Sequence, residues 1–371
     1  MLEAHREIAE TLTDKSRLGM FYAWLSCPLW HREKPHEAYA LLSLARSLGE
    51  ETGNPQVRGY AYTWLAWTCM EMGSLNEAAA FAEQAQSLCQ SEDFDPYIYF
   101  NSLGGLAYVY FYRGERRKAY EAGKTLVEFG RTHANVRSMV LGYLFMGYSH
   151  MASGDMTACA SCFEEATRIS VDPWYGQFPA LALCYARIIH GEYEGFQNTL
   201  EDIIDFSEAR GVEYVGTPAR LLSGAVLAAQ GELAHGVKVL EDVAAIWLQS
   251  GNRLRYAVSQ LILGRVYALV AQGAGKKRLS TFFRNMGFLI RTAPFADRKA
   301  KVCLTRSIEI AHEIGAKDTS ARAHLALGLL HKAKHRYAAA RECLAHAVQL
   351  FQECEADACL EQAKEALRDL P

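Results

Sequence analysis

The sequence has no excess of charge, no long apolar run and no dense set of cysteines. Its 371 residues carry a formal net charge of −3, which gives no general reason to bind nucleic acid or an anionic membrane. No apolar run approaches the roughly 20 residues that span a bilayer, and the N-terminal MLEAHREIAETLTDK lacks the apolar core of a signal peptide. Ten cysteines are too few for a disulfide framework in a chain of this length and suit helix cores. We therefore expect a protein of the reducing cytoplasm.

Motifs of enzyme chemistry are also missing. No GxSxG, no glycine-rich dinucleotide turn and no pair of carboxylates in a strand context occurs in the sequence. The stretch GAGKK at 273–277 resembles a phosphate loop, but Lys277 stands where Ser or Thr is needed, and Val270 replaces the first glycine. The sequence predicts no catalytic residue and no bound cofactor in this chain.

Two groups of metal-ligand residue types have weak spacing. Cys159 and Cys162 form a CxxC without a second pair, and zinc sites usually need four ligands, so we expect core cysteines. His331 and His335 lie one helical turn apart, with His324 two turns earlier, and we interpret them as solvated histidines at a hairpin end. We expect no metal site.

A repeat of helical hairpins fills nearly the whole chain. Four segments share an apolar helix, a short turn with glycine and a second helix rich in small residues: 63–85, 102–124, 144–166 and 224–244. The turn glycines, spaced 41, 40, 37 and 40 residues apart, are Gly73, Gly114, Gly154, Gly191 and Gly231. The same period extends the series of turns back to Glu33 and forward to Ala271. A fixed period of this length predicts a solenoid.

The spacing within each repeat is helical. Tyr60, Trp64 and Trp67 recur at three- to four-residue intervals, the period of an amphipathic helix. Each first helix has a small residue near its middle, for example Ala66, Ala107, Gly147, Gly224, Gly264 and Gly328. Because glycine inside a helix costs about 1 kcal/mol relative to alanine, we expect the paired helix to approach closely there.

The order of residues in these hairpins resembles the tetratricopeptide repeat. Leu106, Ala107, Tyr110, Gly114 and Ala119 follow that plan, and the run from Leu327 through Tyr337 to Ala340 does so again. The common repeat has about 34 residues, so the longer period here suggests longer helices. The resemblance implies an all-α, right-handed superhelical solenoid of about eight hairpins, whose first helices line the concave side.

We expect residues 1–371 to form one such solenoid, with a closing helix at 353–370. Residues 1–14 form a partial or capping helix in this interpretation, because they align one period back with the end of the helix at 39–53. Either this helix caps the solenoid, or the chain is a fragment cut from a larger protein.

A segment at 273–294 interrupts the seventh repeat. It carries an amphipathic helix whose predicted apolar face contains Leu279, Phe282, Phe283, Met286, Leu289 and Ile290. From 276 to 301 there are eight basic residues and one acidic residue. The helix could pack on neighbouring repeats, dock an acidic partner domain, or lie on a membrane surface. The candidate partner-binding residues are Lys276, Lys277, Arg278, Phe282, Phe283, Arg284 and Arg291.

The sequence from AVSQLILGRVYALVAQG through this segment to LALGLLHKAKHRYAAARECLAHAVQLFQECEA resembles a narrower group. It is similar to the C-terminal repeat region of bacterial adenylate/guanylate cyclases that also carry an AAA-type ATPase domain. Neither catalytic domain is visible in this sequence. The resemblance implies a non-catalytic sensing or scaffolding region of a signalling protein, with the cyclase or ATPase domains as possible partners. The alternative is a free-standing receptor for a peptide.

An inward-facing position follows the small residue of each first helix. It holds Trp67, Tyr108, Tyr148 and Tyr185, and then Ala225, Arg265 and Leu329. Either these aromatic residues fill space between long helices, or they form a binding groove, since aromatic residues with polar tips are enriched at recognition surfaces. The Lys and Asn with which some tetratricopeptide domains bind a C-terminal carboxylate are absent. We expect Trp67, Tyr108, Tyr148, Tyr185 and Arg265 to bind an apolar peptide or helix of a protein partner.

Overall fold

The computed structural model describes residues 2–90, 94–273 and 279–371, with the side chains of 279–284 excepted. All regular structure in these ranges is helical. The first helices of the hairpins are α2 (Lys15–His31), α4 (Pro55–Glu71), α6 (Pro96–Arg113), α8 (Val136–Ser153), α10 (Gln177–Ile189), α12 (Glu213–Ala229), α14 (Arg253–Ala271) and α17 (Lys317–Ala333). The second helices are α3 (Pro35–Thr52), α5 (Leu75–Ser87), α7 (Arg116–Thr132), α9 (Met156–Ile169), α11 (Gln197–Arg210), α13 (Leu233–Ser250), α16 (Ala296–Ile314) and α18 (Tyr337–Glu353).

These helices pack in tandem as eight hairpins, which confirms the predicted all-α solenoid. In the seventh hairpin α14 packs on α16, and the helix α15 (Leu279–Thr292) lies between them in the chain. A last helix, α19 (Asp357–Arg368), packs on α18. Ahead of the first hairpin are only a 3-10 turn at Glu3–His5 and the short α1 (Arg6–Ala9).

The helix starts are encoded locally. The side chain of Asn54 accepts hydrogen bonds from the backbone N–H groups of Gln56 and Val57, at 3.0 and 3.1 Å, and so caps α4. Asp14 caps α2 in the same way, and Pro55 occupies the first helical position, where its missing N–H is not needed. Five of the eight first helices begin in this way at an Asp or Asn cap, namely α2, α4, α6, α8 and α14.

The hairpin turns need a left-handed residue between the two helices. Gly73 has φ of +85°, and the other predicted turn glycines share this conformation, which costs glycine little. Glu33 and His335 occupy the same turn position with φ of +55° and +56°, so these two hairpins bear backbone strain. The turn expected at Ala271 lies two residues later, at Gly273, because α14 runs through Ala271.

The mid-helix small residues allow the two helices of a hairpin to touch. A Cβ added at Gly147 would lie 2.4 Å from a ring carbon of Phe163 in the paired helix α9. At Gly264 an added Cβ would lie 2.7 Å from the side chain of Leu304 in α16. The close approach expected from the sequence is therefore present.

The superhelix is tight enough for its successive turns to touch. Helix α2 contacts α12, α4 contacts α14, α6 contacts α17, and α8 contacts α19, so each of the first four hairpins meets the element five steps further along the chain. At these contacts Gly114 lies against Cys354, and Gly154 against Ala358. The concave side expected from the sequence is consequently an enclosed lumen surrounded by the first helices.

Candidate functional site

The narrow part of the lumen is a cavity of about 150 Å³, which we call the aromatic chamber. Its walls come from both turns of the superhelix, and rings dominate them, among others Trp30, Trp67, Tyr108, Tyr148, Tyr185 and Tyr214. Five of the six tryptophans of the chain line it: Trp30, Trp64, Trp67, Trp174 and Trp247. The chamber is therefore an aromatic pocket within the superhelix rather than an exposed groove.

The inward-facing aromatic series of the sequence meets in this chamber. The ring centroids of Trp67 and Tyr108 are 5.9 Å apart, and those of Tyr108 and Tyr148 are 6.2 Å apart and nearly parallel. The indole Nε1 of Trp67 donates to the carbonyl oxygen of Asn101 at 3.1 Å, which fixes that ring. Tyr185 lines the same chamber. Four of the five residues that the sequence predicts to bind a partner therefore lie together in the chamber, as the helix periodicity indicates.

The tyrosines of the chamber remain neutral hydrogen-bonding groups. Burial raises the pKa of Tyr148 well above its ordinary value and raises the pKa of Tyr185 to about 12. Neutral phenols and indoles offer flat apolar faces with a polar tip, the surface that aromatic or apolar ligand groups prefer.

A buried ionic cluster closes the chamber on one side. The Nε of Arg255 lies 2.9 Å from Glu71 Oε2, and its Nη1 lies 3.3 Å from Glu33 Oε1 and donates to the carbonyl oxygen of Tyr214 at 2.7 Å. The guanidinium stacks on the Tyr214 ring at 3.9 Å. Trp247 Nε1 donates to Glu33 Oε1 at 2.9 Å, which completes what we call the Arg255 cluster: Arg255, Glu33, Glu71, Trp247 and Tyr214. It joins the first two hairpins to the sixth and seventh.

Glu33 is the carboxylate whose negative charge is stabilised least in the Arg255 cluster. One guanidinium faces two carboxylates, both almost fully buried, and Glu33 Oε2 accepts no well-aligned hydrogen bond from the described residues. Burial raises the pKa of Glu33 to about 7, even though Arg255, Trp247 and Thr217 act to lower it. Sequence analysis missed this cluster. The one available signal was Glu71, a charged residue inside the apolar run WTCMEMG.

The wide part of the lumen is a cavity of about 1,580 Å³, which we call the groove. The helices α10, α12, α14, α17 and α19 line it, and Arg265 projects into it from α14. Arg322 also lines the groove, but its Nε is paired with Asp318 at 2.7 Å. Asp318 and Tyr185 line the chamber, so these residues lie where the two parts of the lumen meet.

Comparison with known proteins identifies the repeat type. The tetratricopeptide repeat family model matches residues 59–92 and 321–354, which correspond to the second and eighth hairpins. These two segments, 68 of the 371 residues, are similar to the tetratricopeptide repeat. No curated protein matches the sequence significantly. Among solved structures, a circular tandem repeat protein with novel repeat topology and enhanced subunit contact surfaces is similar at 15% identity and a TM-score of 0.23, covering 99% of this chain and 93% of that one. Tetratricopeptide solenoids are typically non-enzymatic, and the family match includes no catalytic domain.

The basic segment between α14 and α16 is described in part. Lys276, Lys277 and Arg278 lie outside the described residues, as do the side chains of Phe282, Phe283 and Arg284. Arg291 is exposed on α15.

The predicted apolar face of α15 does not stay together. Leu289 is buried, but Met286 and Ile290 are 43% and 68% exposed. The physical reason is Asn285, which accepts from the backbone N–H of Leu233 at 3.0 Å and donates to the carbonyl oxygen of Gly231 at 2.6 Å. These two hydrogen bonds therefore orient α15 so that the side carrying Asn285 faces the repeat, rather than the side with the most apolar residues.

The cysteine and histidine residues that the sequence singled out as metal-ligand types lie in packed or hydrogen-bonded positions. Cys159 is buried in α9, and burial raises the pKa of its thiol to about 12, so it is a packed core thiol. His335 Nδ1 lies 2.8 Å from the Tyr337 hydroxyl, while His331 is buried at the end of α17. Within the described residues no group of three or more His, Cys, Asp and Glu side chains could hold a metal ion. No described helix is both long and apolar enough to cross a bilayer.

Proposed function

We propose that this chain is a protein-interaction module that binds an extended segment of a partner protein in its lumen. Tetratricopeptide repeats generally mediate protein or peptide binding, and two segments of the chain are similar to such repeats. The groove, at about 1,580 Å³, exceeds the roughly 300–1,000 Å³ of pockets for drug-sized molecules. A peptide segment fits this volume better than a small metabolite does.

The observation that carries this proposal is that the chamber and the groove lie in series along the same helices. Four first helices line both cavities: α10, α12, α14 and α17. On α12, Leu221 and Leu222 line the chamber and Ala225 the groove; on α14, Val258 lines the chamber and Arg265 the groove. A segment lying along these helices would contact both parts, with a ring-sized pocket at one end and a wide channel at the other.

A display selection with matched variants tests the proposal. Random peptides displayed on phage are selected against the folded chain and then measured by fluorescence anisotropy. Ala229→Trp places a large ring at an exposed position of the groove wall, and Ala345→Trp adds the same ring at an exposed position of α18 outside the lumen. We expect the first variant to lose the selected peptides and the second to retain them. Peptides that bind both variants equally would show that the lumen is not the binding site.

We further propose, as the more specific role, the regulatory repeat region of a larger bacterial signalling protein of the nucleotide-cyclase type. Its support is the resemblance of the sequence on both sides of 273–294 to such regions. The mass of the gene product in its own cells is the first test. A product well above the mass of this chain supports the larger protein, and deletion of 273–294 should then change its cyclase rate. A product of the size of this chain favours the free-standing peptide receptor.

The surface around α15 supports a second contact, with an acidic partner domain. Ile290 and Phe295 are 68% and 58% exposed, and the basic side chains Arg291 and Arg298 lie close to them in the chain. An apolar patch with a basic border fits an acidic amphipathic surface. If it binds such a domain, Arg291→Glu should slow association, and the effect should shrink as ionic strength rises. Unchanged association at low salt would exclude this surface.

A further inference from the structure

Among the described residues of the groove, Arg265 is a cationic side chain whose guanidinium is not paired with a carboxylate. It is partly buried, and among the described residues no carboxylate lies within 4.0 Å of its guanidinium. By contrast Arg322 is paired with Asp318, and Lys332 lies 3.3 Å from Asp369. Glu192 and Glu194 also line the groove, but both are exposed in the loop after α10.

The surroundings of Arg265 favour an anion from a bound segment. Apolar side chains border the groove there, including Ile262 on the same helix, Ala225 on α12 and Leu329 on α17. A cation held against such walls loses hydration without gaining a partner, and a carboxylate that forms two parallel hydrogen bonds with a guanidinium offsets that loss.

The chamber selects a different group of the same segment. Its volume of about 150 Å³ equals that of an engineered apolar cavity that binds benzene. Its lining is mostly aromatic and aliphatic, and its charged members Arg255 and Asp318 are paired within the chain. One aromatic side chain of the bound segment fits this space, with offset or edge-on ring contacts to the walls.

The rise along α14 sets a scale for the spacing of the two groups in the partner. Val258 borders the chamber and Arg265 the groove, seven residues apart on α14. At 1.5 Å per residue this separation is about 10 Å, which an extended peptide covers in about three residues. We propose that the partner segment carries an aromatic residue, held in the chamber, and an acidic side chain about three positions away, held by Arg265. This inference rests on the proposed binding of a segment in the lumen.

The peptides that the display selection returns provide the test. They are synthesised with acetylated and amidated ends, so that a side-chain carboxylate is the only anion that Arg265 can receive. We expect an aromatic and an acidic residue three positions apart, and replacement of either by alanine should weaken binding about tenfold to a hundredfold. A bromophenylalanine at the aromatic position should quench the tryptophan emission, because five tryptophans line the chamber.

A charge reversal separates the pairing with Arg265 from a general charge effect. Arg265→Glu should weaken the binding of the acidic peptide by at least the same factor. A peptide with lysine in place of the acidic residue should recover most of the affinity for this variant. Arg117→Glu, an exposed position of α7, makes the same change of net charge away from the lumen and should leave the affinity unchanged. Circular dichroism of both variants establishes that they are folded.

The outcomes distinguish this inference from the proposed function. Peptides that no longer bind Ala229→Trp but bind Arg265→Glu with normal affinity would contradict the pairing of Arg265 with an acidic residue. Binding in the lumen would still stand. A spacing of seven residues would mean a helical ligand and overturn the extended segment. If no peptide depends on the lumen, both proposals are wrong.

Discussion

Glu33→Gln tests whether the Arg255 cluster holds one negative charge too many. The variant keeps an oxygen for the indole N–H of Trp247 and removes the charge of a carboxyl that is almost fully buried. It therefore imitates the protonated form of Glu33. We expect wild type and variant to have the same free energy of unfolding in acid and to separate as the pH rises.

The sign follows from proton binding. Because burial raises the pKa of Glu33 from its ordinary 4.5 to about 7, the folded chain holds a proton between these values that the unfolded chain has released. The free energy of unfolding of the wild type therefore falls, relative to the variant, as pH rises from 4.5 to 7. Each unit of pKa difference corresponds to 1.36 kcal/mol, so the variant should be about 3 kcal/mol more stable at pH 8.

Urea unfolding at several pH values measures this difference. Far-ultraviolet circular dichroism reports the helices, and tryptophan emission reports the chamber and the indole of Trp247. Glu7→Gln is the control, since it removes one negative charge at an exposed position of α1. The difference between the unfolding free energies of Glu33→Gln and wild type must change with pH, while the curve of Glu7→Gln runs parallel to that of wild type. Parallel curves for all three chains would mean that folding leaves the pKa of Glu33 unchanged and that the cluster does not hold an excess negative charge.

Three further changes probe the packing of the superhelix. Arg255→Ala leaves two buried carboxylates without their cation and should cost about 3–5 kcal/mol in urea unfolding, whereas a loss below 1 kcal/mol would mean that water solvates the cluster. Gly147→Ala places a Cβ 2.4 Å from the ring of Phe163 and should lower stability by about 1–3 kcal/mol, despite the better helix propensity of alanine. Its matched control is Gly287→Ala in α15, where, apart from the backbone of α15 itself, no atom of the described part of the chain lies within 4 Å of the added Cβ, and thermal unfolding should show a gain of about 0.5–1 kcal/mol. Asp14→Ala removes the cap of α2 and should cost about 1 kcal/mol, seen as faster hydrogen exchange in its first turn.

The candidate site could be predicted only in part. The inward position found from the repeat identified Trp67, Tyr108, Tyr148 and Tyr185, because residues one period apart occupy equivalent places on neighbouring first helices. It also identified Arg265, which lies in the groove rather than the chamber. That these residues bind a partner remains a prediction.

For α15 the sequence predicted the helix but not its orientation. The amphipathic pattern placed Met286, Leu289 and Ile290 on one face, since periodicity counts apolar residues only. The two hydrogen bonds of Asn285 to the turn between α12 and α13 decided which stripe faces the repeat. A polar contact with a distant turn leaves no periodic signal in the sequence.

The sequence by itself determined the elements of this protein: the helical hairpins, their period, and the left-handed turn residues, including the strained Glu33 and His335. These features depend on residues a few positions apart, so local patterns encode them. Only the tertiary structure decided that the superhelix closes on itself after five hairpins and encloses a lumen. That closure depends on contacts such as the one between Arg255 and Glu33, 222 residues apart, and on small rotations between hairpins that add up along the chain. No single repeat contains that sum, which is why the chamber and its ionic cluster could not be predicted from the repeat pattern.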